Sequence, residues 1–266
     1  LGDDGRCDKE DACLFPSEDV DPCDWNVGDE LQSCTSQGLR CRRVTVGPHQ
    51  ISLFTAACSA DDSGPEDLGL HVWPGTHAMS HLILDLEKKG RSVLDVGCGT
   101  GFIGILARLA GCGDLVLADC EEKVLATARL NVKANGFEAG SGVKVKALSW
   151  GLGAVDETEG ATFDVVLLCE VLYVAQPRCV PWTLDSDDVS ALAALTKAKL
   201  SPGGEAWVTY GNREEGGMEM FRDAAVVAGL TFEEVALKAV VPAEDLARKS
   251  ANALRRVKVF HLTHAK

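Results

Sequence analysis

With 266 residues, 46% of them apolar and 25% charged, the chain is long enough to bury a full core and reads as one domain with an extension. No apolar run reaches the roughly 18 residues that a membrane span needs, and a net charge of −14 argues against a nucleic-acid surface. That charge is uneven: residues 1–30 hold eleven acids against Arg6 and Lys9, a net −9. Either these acids keep the extension solvated or they attract a basic protein segment, and both readings stand. Eleven cysteines include no Cys-x-x-Cys pair, so neither a zinc ribbon nor a thioredoxin-like motif is present. Their odd number and the burial expected of Cys98, Cys112 and Cys169 predict free thiols in a reducing compartment, cytoplasmic or nuclear. Leu1 in place of Met leaves an upstream targeting segment open.

Residues 1–40 lack periodicity and are broken by Asp, Gly and Pro, which predicts a mostly irregular acidic extension before a folded domain over 41–266. Arg43–Val46 and Gln50–Phe54 read as two strands of a hairpin spanning 43–54. Residues 59–69 read as a polar loop. A helix is predicted from about Thr76 to Lys88, because Met79, Leu82, Ile83 and Leu86 fall at i, i+3, i+4 and i+7 and Lys88-Lys-Gly90 ends the pattern. His77 and His81 stand one turn apart on it. No Glu adjoins His77 and no third ligand is evident, so the pair reads as an exposed helix face and no metal is expected.

Ser92 to Gly104 is the stretch that the rest is arranged around. Val93, Leu94 and Val96 form a buried strand. Gly97, Gly99 and Gly101 then permit a sharp turn and a close approach to a ligand. Phe102–Leu109 continues at helical spacing, its free N–H groups facing that ligand. Gly99-x-Gly101-x-x-Gly104 alone matches the dinucleotide fingerprint, a weak signal. Asp95, two places before the first glycine, would repel a pyrophosphate and suits a cationic sulfonium with an amino-acid tail. Leu94-Asp-Val-Gly-Cys-Gly-Thr-Gly101 resembles motif I of the class I methyltransferases that use S-adenosyl-L-methionine.

Asp114–Asp119 is a second strand, closing on an acid 22 residues past Gly97. A carboxylate there holds ribose hydroxyls in nucleoside sites; a plain helix N-cap by Asp119 or Glu121 fits equally. A helix over Glu122–Asn135 follows, then strands Val143–Leu148 and Phe163–Cys169 and a helix from about Asp188 to Leu200. Strand Glu205–Tyr210, helix Met218–Ala228 and strands Thr231–Leu237 and Val257–Thr263 complete the pattern. The alternation predicts an α/β doubly wound, Rossmann-like sheet over 76–264 with right-handed crossovers. Ligands of such sheets sit at the carboxyl ends of strands, which directs Glu170 and Tyr173 toward the cofactor.

Trp73 before a helix, the glycine string, Ala118-Asp119, Asn131-x-x-x-Asn135, Ser149-Trp150-Gly and Glu170-x-x-Tyr173 occur in this order. Over residues 43–264 the chain thereby resembles the seven-strand protein methyltransferases that carry a D/E-x-x-Y motif and mostly methylate lysine, a few histidine, on non-histone proteins. The resemblance implies a seven-stranded sheet with an antiparallel C-terminal edge. It implies cofactor contacts from Trp73, Asp95, Gly97, Cys98, Gly99, Gly101, Asp119, Trp150 and Cys169. It gives catalytic roles to Glu170, accepting a hydrogen bond from the target nitrogen, and to Tyr173, closing the channel. Ser149 stands where the family often has Asp. The expected partner is a protein substrate with a basic segment, with no nucleic acid, no membrane and a monomeric enzyme. Trp182, in the loop over 174–187, is a candidate substrate contact. The alternatives are a small-molecule amine N-methyltransferase and a non-catalytic S-adenosylmethionine-binding scaffold.

Overall fold

The computed structural model describes residues 27–31, 38–57, 65–87, 89–151, 153–172, 186–211, 217–248 and 252–265. Strands β1 (Val27–Leu31), β2 (Leu39–Val46) and β3 (His49–Ala56) make a small antiparallel sheet. The hairpin is longer than expected at both ends, and Val27–Leu31 pairs with β2 inside the stretch that reads as irregular. Pairing with a neighbouring strand needs no local periodicity, so a lone edge strand leaves little trace in a sequence.

Helix α1 (Pro74–Asp85) begins two residues earlier than the apolar stripe indicates, because Pro74 occupies the first helical position where its missing N–H costs nothing. Then come β4 (Val93–Val96), α2 (Phe102–Leu109), β5 (Leu115–Asp119), α3 (Glu122–Ala134), β6 (Val143–Ala147) and β7 (Phe163–Cys169). The chain continues through α4 (Ser186–Lys199), β8 (Leu200–Gly211), α5 (Gly217–Val227), β9 (Glu233–Val235), α6 (Ala243–Leu246) and β10 (Val257–Thr263). The strand expected over Thr231–Leu237 is cut to three residues.

The large sheet has the order β6-β5-β4-β7-β8-β10-β9. Its first five strands are parallel, and β10 runs antiparallel to both β8 and β9. The α/β doubly wound sheet of seven strands and its antiparallel edge therefore stand as read. Alternating residues serve the two faces: Val93 packs with α1 and α2, while Leu94 and Val96 pack with α4 and α5. All four residues of β4 are buried, which is why its apolar run shows no polar alternation. Strand order reverses between β4 and β7, so a crevice opens at their carboxyl ends.

The small sheet is fastened to this core by two asparagines of α3. Asn131 Oδ1 accepts the Phe54 N–H at 2.6 Å, and its Nδ2 donates to the Phe54 carbonyl at 3.1 Å. Asn135 repeats the pattern on Ser52, at 2.9 and 2.7 Å. Helix residues four apart and strand residues two apart both lie about 6–7 Å from one another, so one helix face can copy a strand's ladder. Asn131 also donates to the Thr100 carbonyl at 2.8 Å, tying the small sheet to the glycine turn. Its side chain is fully buried. Asn131→Ala strands the polar groups of Phe54 and Thr100, and is expected to destabilise the fold by about 2–3 kcal/mol, read as a lower urea midpoint.

Candidate active site

The turn after β4 is built as its glycines demand. Gly97, Gly99 and Gly101 have φ of 64°, 54° and 77°, the left-handed region that side chains avoid. At Gly99 a Cβ would stand 2.8 Å from the backbone carbonyl oxygen of Gly69, so the segment before α1 packs directly on the turn. Cys98, buried between these glycines, continues the strand ladder by donating its N–H to the Ala118 carbonyl at 2.9 Å. Gly101 is the N-cap of α2.

Two acids meet this turn from below and from the side. Asp95 is 1% exposed, and its Oδ2 accepts the N–H of Gly104, in the first turn of α2, at 3.0 Å. Burial pushes its carboxyl up from 3.8 to about 7, with the Gly104 hydrogen bond opposing and the charge of Asp119 assisting. The carboxylate expected to face the cofactor is thus enclosed, bracing strand to helix. Asp119, half-buried at the end of β5, accepts the Gly99 N–H at 3.1 Å through Oδ2 and the Cys120 N–H at 2.8 Å through Oδ1. Burial raises its carboxyl as well. Asp119 Oδ1 also accepts the N–H of Glu121, the N-cap of α3, at 3.3 Å, so this carboxylate serves the glycine turn and the start of α3 together.

Across the crevice, β7 ends in Cys169 and Glu170. Cys169 donates to Thr76 Oγ1 at 3.6 Å and accepts from Thr209 Oγ1 at 3.4 Å. Burial, together with the charge of Glu170, pushes its thiol up to about 12, so it is an inert packing group. Glu170 has a φ of 60°, rare for a residue with a side chain, and is 5% exposed. Its Oε1 accepts the Gly75 N–H at 2.6 Å and its Oε2 accepts the Gly211 N–H at 3.1 Å. A Cβ at Gly75 would lie 2.5 Å from Oε1, and one at Gly211 would lie 3.0 Å from it. This carboxylate stands at the amino end of α1, where helix N–H groups and the macrodipole favour an anion.

The Glu170 carboxylate, expected to accept a hydrogen bond from a target nitrogen, is held in place by the protein's own backbone. Both oxygens already accept backbone N–H groups, and the side chain clasps the ends of β7, α1 and β8 together. Gly75 and Gly211 are the glycines that make room for it. The local signal for Gly75 is the run Trp73-Pro74-Gly75 at the helix start; nothing local marks Gly211.

Trp73 lies at the N-cap of α1, half-buried, its indole N–H on the Leu68 carbonyl at 3.2 Å. Trp150 is half-buried against the core beneath α4 and α5. Ser149, the departure from pattern, accepts the Val155 N–H on Oγ at 2.9 Å and so closes its own loop. Tyr173 and Trp182 lie outside the described residues. At the opposite, amino ends of the strands, Arg91, Asp164, Glu205 and His261 line an open cavity of about 640 Å³, remote from the glycine turn.

Solved structures share this architecture. The methyltransferase fold of SMU.776, solved in complex with SAH, superposes with a TM-score of 0.55 over 84% of this chain and 55% of that one, at 12% identity. The 16S rRNA N2 G1207 methyltransferase RsmC of T. thermophilus, solved with AdoMet and guanosine, superposes at 0.53 over 90% and 53%, at 17% identity. This is a class I methyltransferase fold. Residues 56–181 match the family model described as lysine methyltransferase. Among curated relatives, the ribosomal protein L11 methyltransferase of Thermotoga petrophila is 37% identical over 99 residues, 37% of this chain and 33% of that protein. Its counterpart from Burkholderia ambifaria is 30% identical over 142 residues, 52% of this chain and 39% of that protein. The chain thus spans under half the length of these relatives. Among the described residues, no helix of this methyltransferase fold is long and apolar enough to cross a membrane.

Asp95 makes a testable contribution to pH dependence. A carboxyl raised to about 7 in the folded chain favours folding below its ordinary 3.8, and that contribution is lost as pH rises toward 7. Asp95→Asn keeps an oxygen for the Gly104 N–H without the charge. The variant is expected to gain on the wild type between pH 5 and pH 8, seen as a widening difference in urea midpoint.

Proposed function

We propose that the chain is an S-adenosylmethionine-dependent methyltransferase acting on a nitrogen side chain of a non-histone protein, lysine first and histidine second. The observation that carries the cofactor reading is the turn after β4, whose left-handed Gly97, Gly99 and Gly101 leave its backbone open to a ligand. Asp119, half-buried beside that turn, is the acid placed nearest such a ligand, while Asp95 is enclosed beneath and holds the turn's shape. The lysine target rests on the family match over 56–181. A protein partner is in keeping with relatives named for a ribosomal protein and with the net charge of −14, which suits a basic segment over nucleic acid.

Gly97, Cys98, Gly99 and Gly101 supply a backbone that a ligand's amino-acid tail can approach without meeting a Cβ at the glycines. Asp119 stands at the end of the neighbouring strand, suited to ribose hydroxyls. Trp73 and Trp150 supply aromatic surface on the two sides, and Cys169 lines the floor. When bound, the cofactor supplies a methyl group already activated by sulfonium.

What the protein contributes is alignment and a neutral nucleophile. An amine must shed its proton before its lone pair can attack, and exclusion of water with in-line positioning provides much of the rate. In this reading Glu170 is a positioning residue: it holds α1 and β8 against the strand end from which the chain runs on to Tyr173. Tyr173 keeps its proposed place as the aromatic wall beside the target nitrogen.

Labelled methyl from S-adenosylmethionine, incubated with a fractionated cell extract, is expected to enter a discrete protein band that survives nuclease and hydrolyses to methyl-lysine. Label confined to small molecules or RNA overturns the substrate class; bound cofactor with no transfer points to a scaffold. Glu170→Ala should lower kcat at least about tenfold, roughly 1.4 kcal/mol, with a smaller change in the KM for cofactor. Glu170→Gln, which still offers an oxygen to Gly75, should recover part of that loss, and full turnover by Glu170→Ala removes the role. Gly99→Ala, strained at its φ and driven against Gly69, should weaken cofactor binding on the order of tenfold or more in a calorimetric titration.

A further inference from the structure

His77 and His81 lack a third ligand in the sequence, but folding brings one. Helix α6, near the far end of the chain, sets Asp245 against the same face of α1. His77 Nε2 and His81 Nε2 lie 3.2 Å apart. Asp245 Oδ2 is 3.0 Å from His81 Nε2 and 3.9 Å from His77 Nε2. All three donor atoms fall within 4.8 Å of one another. An ion held tetrahedrally by bonds of about 2.0–2.1 Å spaces its donors about 3.3 Å apart. Two edges of this triangle already match that spacing closely, and the third needs a small closure.

We propose that His77, His81 and Asp245 form a site for a zinc-class divalent transition metal, with the remaining coordination position open to water. Two imidazoles and one carboxylate are the donor set of zinc sites that keep an open position. The environment is prepared for this role. Arg248 Nη2 holds the other oxygen of Asp245 at 2.9 Å, an outer contact that orients a ligating carboxylate. Side-chain exposures of 18% for His77, 20% for His81 and 13% for Asp245 leave the cluster half-buried yet reachable by an ion.

The consequence is mechanical. The first turn of α1 holds Glu170 through Gly75 and Cys169 through Thr76, while its next turns carry the two histidines. An ion bridging α1 to α6 therefore clips the helix that braces the candidate active site to the C-terminal part of the chain. The site is independent of the methyltransferase reading and is tested without any activity measurement.

Full-length protein freed of metal with a chelator is titrated with Co²⁺, followed by visible d–d absorption. The expected result is one equivalent bound in a tetrahedral-type spectrum without the near-ultraviolet bands of cobalt–thiolate, displaced by Zn²⁺. Thiolate bands would mean capture by cysteines and would overturn the assignment, as would a wild-type chain that takes up no Co²⁺. His81→Ala and Asp245→Asn should each weaken binding at least about tenfold, the smaller end of what even outer contacts cost. Arg248→Ala, which touches no proposed ligand-to-metal bond, should weaken it less. Zn²⁺ should raise the thermal midpoint of the wild type and leave that of His81→Ala in place; equal shifts in both chains would overturn the site.

Discussion

The hydrogen bond from the Gly104 N–H to Asp95 is the contact on which the rest of the structure depends. It joins a wholly buried strand to the helix that follows, across a turn of left-handed glycines. A carboxyl placed where it is 1% exposed carries a large desolvation cost, visible in its elevated pKa of about 7. Such a group persists only where the surroundings over-determine it. Here Asp119 reinforces the same turn from β5, and Asn131 pins it from α3 through Thr100. The turn is therefore held by two strands and a helix, β4, β5 and α3.

The opposite wall of the crevice is stabilised by the same kind of interaction. Glu170 sits in a strained backbone conformation, and its two hydrogen bonds to Gly75 and Gly211 offset that strain. Each partner is a glycine because a Cβ would collide with the carboxylate. Strand end, helix start and neighbouring strand thus converge on one side chain. The carboxyl ends of β4, β5 and β7 are in this way each organised by an acid that accepts backbone N–H groups.

A sequence relative of this chain is named for a ribosomal protein, and a structural neighbour for ribosomal RNA. The sheet and the glycine turn provide for a cofactor and leave the acceptor to loops and surface charge. In this chain the net charge is −14.

Much of the fold was legible because its causes are local. The unbroken apolar run Val93–Val96, the glycines after it and the alternation of strands and helices each follow from near neighbours in the chain, and these alone determined the doubly wound sheet and the ligand-bearing turn. The roles of individual side chains were decided by tertiary structure, since hydrogen-bond partners come from distant elements. Asp95 turns inward to a helix N–H, Asp119 to Gly99, and Glu170 to two glycines, one on either side of it in the chain and each far off. Asn131 and Asn135 read as spaced polar residues until β3 is laid against them. His77 and His81 gain Asp245 only when α6 folds back onto α1. Spacing records what a residue's own helix or strand requires; it holds no record of which remote backbone will come within 3 Å.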